Sequence, residues 1–208
     1  MSIFFNLPIE QLRHLAATAK PHAKDKSSDL RNIYILHRHG RAYVIACDGH
    51  HAPMYVHDGT RDGQNSAYML SWEDIETICA VAAKRGLHLP VELDEKGGRI
   101  DCGPLSCKVQ KLEHCYLEPI FERFETCARR GKLSPSPAMH LITATQCRNI
   151  FPSKECSLEF LQEAGKPESP QFCTAPGMSD YCVILMPVRS EKRDIGKAIK
   201  KTRAFFGA

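Results

Sequence analysis

The chain has 208 residues, 43% hydrophobic, enough to build a core, and 25% charged, an ordinary share for a soluble protein. A net charge of +4 and a pI near 8.5 permit nucleic-acid contact without arguing for it. No apolar run approaches the ~20 residues of a membrane-spanning helix, and Met1-Ser2-Ile3-Phe4-Phe5 lacks the basic region and long apolar stretch of a secretory signal, so a cytoplasmic location is expected.

Residues Ser2 to Asn6 are β-prone, and Leu7-Pro8 opens a helical pattern in which Leu12, Leu15, Ala16 and Ala19 share a stripe. Pro21 and the polar stretch Lys24 to Asp29 end it. Two strands follow, Asn32 to Arg38 and Ala42 to Cys47, joined through Gly40, and a third runs from Ala52 to His57. The grammar then repeats. Ser66 to Leu70 reads as a strand, Ser71 and Asp74 start a helix with the stripe Ile75, Ile78, Cys79 and Ala82, and Gly86 stops it. Strands at Val91 to Leu93, Arg99 to Cys102 and Leu105 to Val109 complete a second β-α-β-β-β unit.

A helix is predicted from about Pro119 to Arg130, then a loop marked by Gly131, Pro135 and Pro137. A third unit follows: a strand at Met139 to Ile142, a helix from Thr143 to Ile150 or Phe151, and strands at Ser157 to Leu161, Gln171 to Thr174 and Tyr181 to Met186. Beyond Arg189 the tail places Ile195, Ala198, Ile199, Thr202, Phe205 and Phe206 opposite six basic residues, the pattern of an amphipathic helix. The expected organisation is 1–118, two units; 119–190, a linker helix and an incomplete domain; and 191–208, a basic tail.

Ten cysteines are scattered with no C-x-x-C pair, so they read as reduced core residues rather than zinc or redox motifs. Neither G-x-S-x-G nor a phosphate-cradling G-x-x-x-x-G-K-[ST] occurs, and no enzyme activity and no cofactor are expected. His37, His39, His50, His51 and His57 with Asp48 form the one alternative with metal chemistry, His37 and His39 alternating on one predicted strand. No complete ligand motif supports it.

Two distant segments stand out. Ala46-Cys47-Asp48-Gly49-His50-His51 ends an apolar run, and Tyr181-Cys182-Val183-Ile184-Leu185-Met186-Pro187-Val188-Arg189 lies near the C-terminus. Together, and in this order, they resemble the A-T-D-G-H-R-L turn and the Y-V-V-M-P-M-R closing strand of the bacterial DNA polymerase III beta sliding clamps. The resemblance covers about residues 1 to 190, as three of the six units of such a clamp: the middle domain joined to the final half of the last. It marks a shortened or divergent form, of the kind a phage or mobile element encodes. It implies an α+β fold of clamp-like β-α-β-β-β repeats with helices on one side of antiparallel sheets.

It also implies a non-enzymatic replication accessory or processivity factor. Its partners would be double-stranded DNA, held without sequence preference, and a DNA polymerase or other replication protein docked through a short peptide. The peptide pocket would fall on Cys47, Gly49, His50, His51, Ala52, Ile184, Met186, Pro187, Val188 and Arg189. His51 stands where the family has arginine and Ala52 where it has leucine. DNA contacts would fall on Arg13, Lys20, Lys84, Arg85 and Arg148, although Glu73, Asp74 and Glu76 share the second helix. Four head-to-tail chains would supply the twelve units of a ring, so a homo-oligomer is among the expectations. The alternative is a module that forms no ring and modulates a host replication protein.

Overall fold

Two five-element units, each a strand, a helix and three strands, exchange their first strands. The computed structural model describes residues 2–58, 64–82, 86–135, 159–166, 170–174 and 178–185. The first unit consists of β1 (Ile3–Pro8), α1 (Ile9–Ala19), β2 (Ile33–Arg38), β3 (Arg41–Ala46) and β4 (His51–His57). The second consists of β5 (Ser66–Leu70), α2 (Trp72–Val81), β6 (His88–Asp94), β7 (Gly97–Cys102) and β8 (Leu105–Leu112). β1 leaves its own unit to pair antiparallel with β6, Ile3 facing Leu93, and β5 crosses to β2, Ile33 facing Leu70. Neither unit's sheet is complete without the other.

The chain continues through α3 (Glu118–Arg129), β9 (Leu133–Pro135), β10 (Glu159–Glu163), β11 (Gln171–Thr174) and β12 (Tyr181–Leu185). All twelve strands among the described residues form one antiparallel sheet in the order β1-β6-β7-β8-β5-β2-β3-β4-β12-β11-β10-β9. β10, β11 and β12 are the last three strands of the third unit. The short β9 pairs with β10 where, in the first unit, the exchanged β5 pairs with β2. The strand and helix predicted at 139–151, and the tail 191–208, lie outside the described residues.

Helix α1 forms because Ile9, Leu12, Leu15 and Ala19 recur on one face, and all four are fully buried. In α2 the Ser71 hydroxyl accepts from the Asp74 N–H and donates to the Asp74 carboxylate, satisfying a first-turn donor. That helix ends at Val81, five residues before Gly86, and the Arg13 guanidinium donates to the carbonyl oxygen of Ala82 at its C-terminus. Both helices pack on one side of the sheet, over Ile33, Ile35, Val44, Val91, Ile100 and Val109.

The third helix takes the other side. Phe121, with Cys115 and Leu117 of the preceding linker, covers Tyr34, Leu36, Ile45 and Met54, and the Phe121 ring lies 4.6 Å from Tyr43. The expectation of helices on one side thus describes α1 and α2, while the linker helix is added across the sheet. All six residues of β2 are buried, so both faces of that strand need cover. The helix is pinned at its start by Arg38, which is 2% exposed. Its guanidinium donates to the carbonyl oxygens of His37 and Ser66 and to the Glu118 carboxylate, which also accepts from the Cys115 N–H.

Other expectations shift in detail. β6 and β8 run longer than predicted, because pairing with β1 and β5 extends them beyond their own apolar cores. β10 runs two residues past the predicted end at Leu161, residues 157 and 158 lying outside the described residues, and β9 occupies what reads as a loop. All eight described cysteines are free thiols, six of them buried.

Candidate functional site

The two motif segments meet along the seam between the first and third units. β12 pairs antiparallel with β4, Tyr181 facing Tyr55, Ile184 facing Ala52 and Leu185 facing His51. The turn from Cys47 to His50 therefore sits at the Leu185 end of the seam. Apolar alternation explains the pairing: Tyr181, Val183 and Leu185 face the α1 side, and Ile184 enters the cluster under α3.

The turn is held by one carboxylate. Asp48 Oδ1 accepts from the backbone N–H groups of His50 and His51, at 2.9 and 2.7 Å, and the His51 ring Nδ1 lies 3.0 Å from Oδ2. The Asp48 N–H closes the turn on the His51 carbonyl at 3.1 Å. Gly49 adopts φ +88°, a conformation that penalises any side chain although the nearest neighbour, Leu30, leaves room. On Asp48, burial raises the carboxyl pKa, but the His51 hydrogen bond and the two N–H donors outweigh it and leave the net value below normal. The ionised form is thus favoured in the fold. Its stabilisation is complete at neutral pH and fades as the pH falls below the ordinary value near ~4 toward the lowered one. In Asp48→Asn, melting temperatures followed from pH 5 to pH 2.5 are expected to fall less steeply than in the parent chain. Parallel curves would remove this carboxylate as a source of acid sensitivity.

The structure brings six of the predicted pocket positions together, with unequal access. Cys47, Ala52 and Ile184 are buried beneath the linker and α3, with Tyr116 placed over Cys47. Burial pushes the Cys47 thiol up, which keeps it protonated. His51, standing at the family's arginine position, is 5% exposed and turned to Asp48. Gly49 and His50 remain at the surface side of the turn, His50 exposed. Met186, Pro187, Val188 and Arg189 lie outside the described residues.

At the opposite end of the seam is a groove of 820 Å³ floored by Tyr43, Met54, Val56 and Phe121, with Glu125 and Asp180 at its sides. None of the predicted pocket residues lines it. Sequence reasoning missed it because its floor is assembled from two strands and a helix far apart in the chain.

The predicted DNA-contact residues separate. Arg13 is committed to Ala82, Lys20 is exposed just beyond α1, and Lys84, Arg85 and Arg148 lie outside the described residues. Along α1 and α2 the acids Glu10, Glu73, Asp74 and Glu76 outnumber the one base, Arg13, and Glu73 pairs with Arg31.

The histidines do not assemble a metal site. His37 and His39 do not share a strand face, since β2 ends at Arg38 and His39 turns away at φ +50°. Among the described residues no group of three or more His, Cys, Asp or Glu side chains is placed to hold a metal.

No family model and no curated protein sequence matches this chain. Solved structures do. It is similar to the DNA polymerase III beta subunit of Thermotoga maritima, at 12% identity and a TM-score of 0.52, over 91% of this chain and 66% of that one. It is similar to the sliding clamp of Bacillus subtilis, at 9% identity and 0.55, over 92% and 65%. The Pseudomonas aeruginosa sliding clamp bound to griselimycin gives 10% identity and 0.56, over 90% and 65%. This chain spans about two thirds of their length, and at such identities the likeness is one of fold.

Proposed function

We propose that this chain, which has the bacterial sliding-clamp fold, is a clamp-like replication accessory factor that docks short peptides of partner proteins at the Asp48 end of the seam. The observation that carries the reading is the β4–β12 pairing, which sets the Asp48–His51 turn against Leu185 from 134 residues later. The turn offers an exposed histidine at His50. The residues after Leu185 supply Met186, an adaptable apolar contact for a peptide side chain. His51 does not play the part of an arginine here: it braces the turn through Asp48, so partner contact falls to His50 and the Met186–Arg189 segment.

DNA contact without sequence preference belongs to the same reading. It rests on Arg13, whose guanidinium also donates to the Ala82 carbonyl, and on Lys20, Lys84, Arg85 and Arg148. The acidic balance of α1 and α2 favours a second reading, a module that forms no ring and modulates a replication protein of its host. The two share the peptide site and part on retention of DNA.

The test is the Met186→Lys variant titrated with a fluorescent clamp-binding peptide. An ammonium in place of an apolar side chain is expected to weaken binding at least tenfold with the melting temperature unchanged. Equal affinity in the folded variant would remove the site.

A further inference from the structure

Each of the three units ends in a strand of the same kind: β4, β8 and β12 close the first, second and third. The chain joins units by pairing such last strands antiparallel, and β4 with β12 does so over five residues. Three last strands leave one over. β8 pairs with β7 along Leu105–Gln110 on one side, while on its other side β5 engages only Gln110, Lys111 and Leu112. Among the described residues no strand pairs with Leu105–Val109 on that side, a run of five, the same length as the seam.

We infer that this edge of β8 is a self-association surface, on which a second copy of the chain lays its own β8 antiparallel about a two-fold axis. An antiparallel strand pair is locally two-fold, so two identical edges satisfy each other's N–H and C=O groups. The side chains select the register. With Cys107 on the axis, Leu105 faces Val109 of the second copy and Ser106 faces Lys108. Ser106 Oγ donates to Asp101 Oδ1 at 2.6 Å, Asp101 being the β7 residue paired with Ser106. The incoming ammonium therefore arrives beside a carboxylate that is 38% exposed and shares its other oxygen with Arg99 at 3.4 Å. A register centred on Lys108 would instead oppose two ammonium groups. Cys107 faces the core, and burial pushes its thiol up to about 11, so it packs rather than reacts. Two chains joined in this way carry six units in one arc, with the two third units at its ends.

Light scattering on the full chain is expected to give twice 23.4 kDa, reverting toward the single-chain mass in Lys108→Glu, which sets a carboxylate against Asp101. Register is read separately with a short thiol-reactive crosslinker. A mixture of Ser106→Cys and Lys108→Cys chains is expected to yield a 106–108 crosslinked peptide by mass spectrometry, and either chain alone none. A wild-type chain that stays at 23.4 kDa at every concentration, or a dimer indifferent to Lys108→Glu and without that crosslink, overturns the inference. Neither readout depends on peptide docking.

Discussion

Glu118→Ala is expected to lower stability by about 3 kcal/mol, the low end for removing one partner of a buried ion pair. For a chain of this length that is a fall in melting temperature of roughly 6–12 °C. The change strands the Arg38 guanidinium, 2% exposed, with only the His37 and Ser66 carbonyls, and leaves the Cys115 N–H without its acceptor. Glu118 is 22% exposed, so water offers part of the replacement, which sets the estimate at the low end. Chemical denaturation measures the loss, and a double-mutant cycle with Arg38→Met assigns it. The pair is expected to be strongly non-additive, because Arg38→Met removes the stranded charge. Additive losses would mean that α3 is held by its apolar face alone.

Tyr181→Ala is expected to cost ~3–5 kcal/mol, as for a buried aromatic truncated to alanine. Tyr181 is 3% exposed, its ring 4.7 Å from Tyr55 and 5.6 Å from His14, and the His14 Nδ1 lies 2.9 Å from the Tyr55 hydroxyl. Those three rings tie α1 and β4 of the first unit to β12 of the third. Their loss is expected to act regionally: amide exchange accelerates in β10–β12 and along β4 while β6, β7 and β8 keep their protection. Uniform acceleration over the whole sheet would show instead that the three units melt as one.

The sequence made some elements legible and others not, for identifiable reasons. β5 and β11 fall on their predicted residues because apolar runs there are bounded by turn residues, and α2 starts at the predicted Ser71 cap. β9 was not legible: three residues ending in proline carry no period, and only pairing with β10 makes them a strand. The amphipathic stripe of α3 announced a helix but not which side of the sheet it covers. That side is decided by Tyr34, Leu36, Ile45 and Met54, contributed by three strands. For the site, the two motif segments were readable as a pair. The inward turn of His51 was not, since it depends on where Asp48 directs its oxygens.

The strand exchange between the first two units has a consequence for biosynthesis. β1 is complete at Pro8, but its partner β6 begins only at His88. At 5–20 residues per second a ribosome needs on the order of 4–16 s to make the intervening 80 residues. Throughout that interval Ile3, Phe4 and Phe5 form a nascent β-strand with nothing to pair with, an apolar stretch open to a neighbouring chain. The N-terminal half therefore cannot fold in the order in which it is made. Helix α1 and the β2–β3 hairpin can form early, while the sheet they rest on waits for the second unit to arrive.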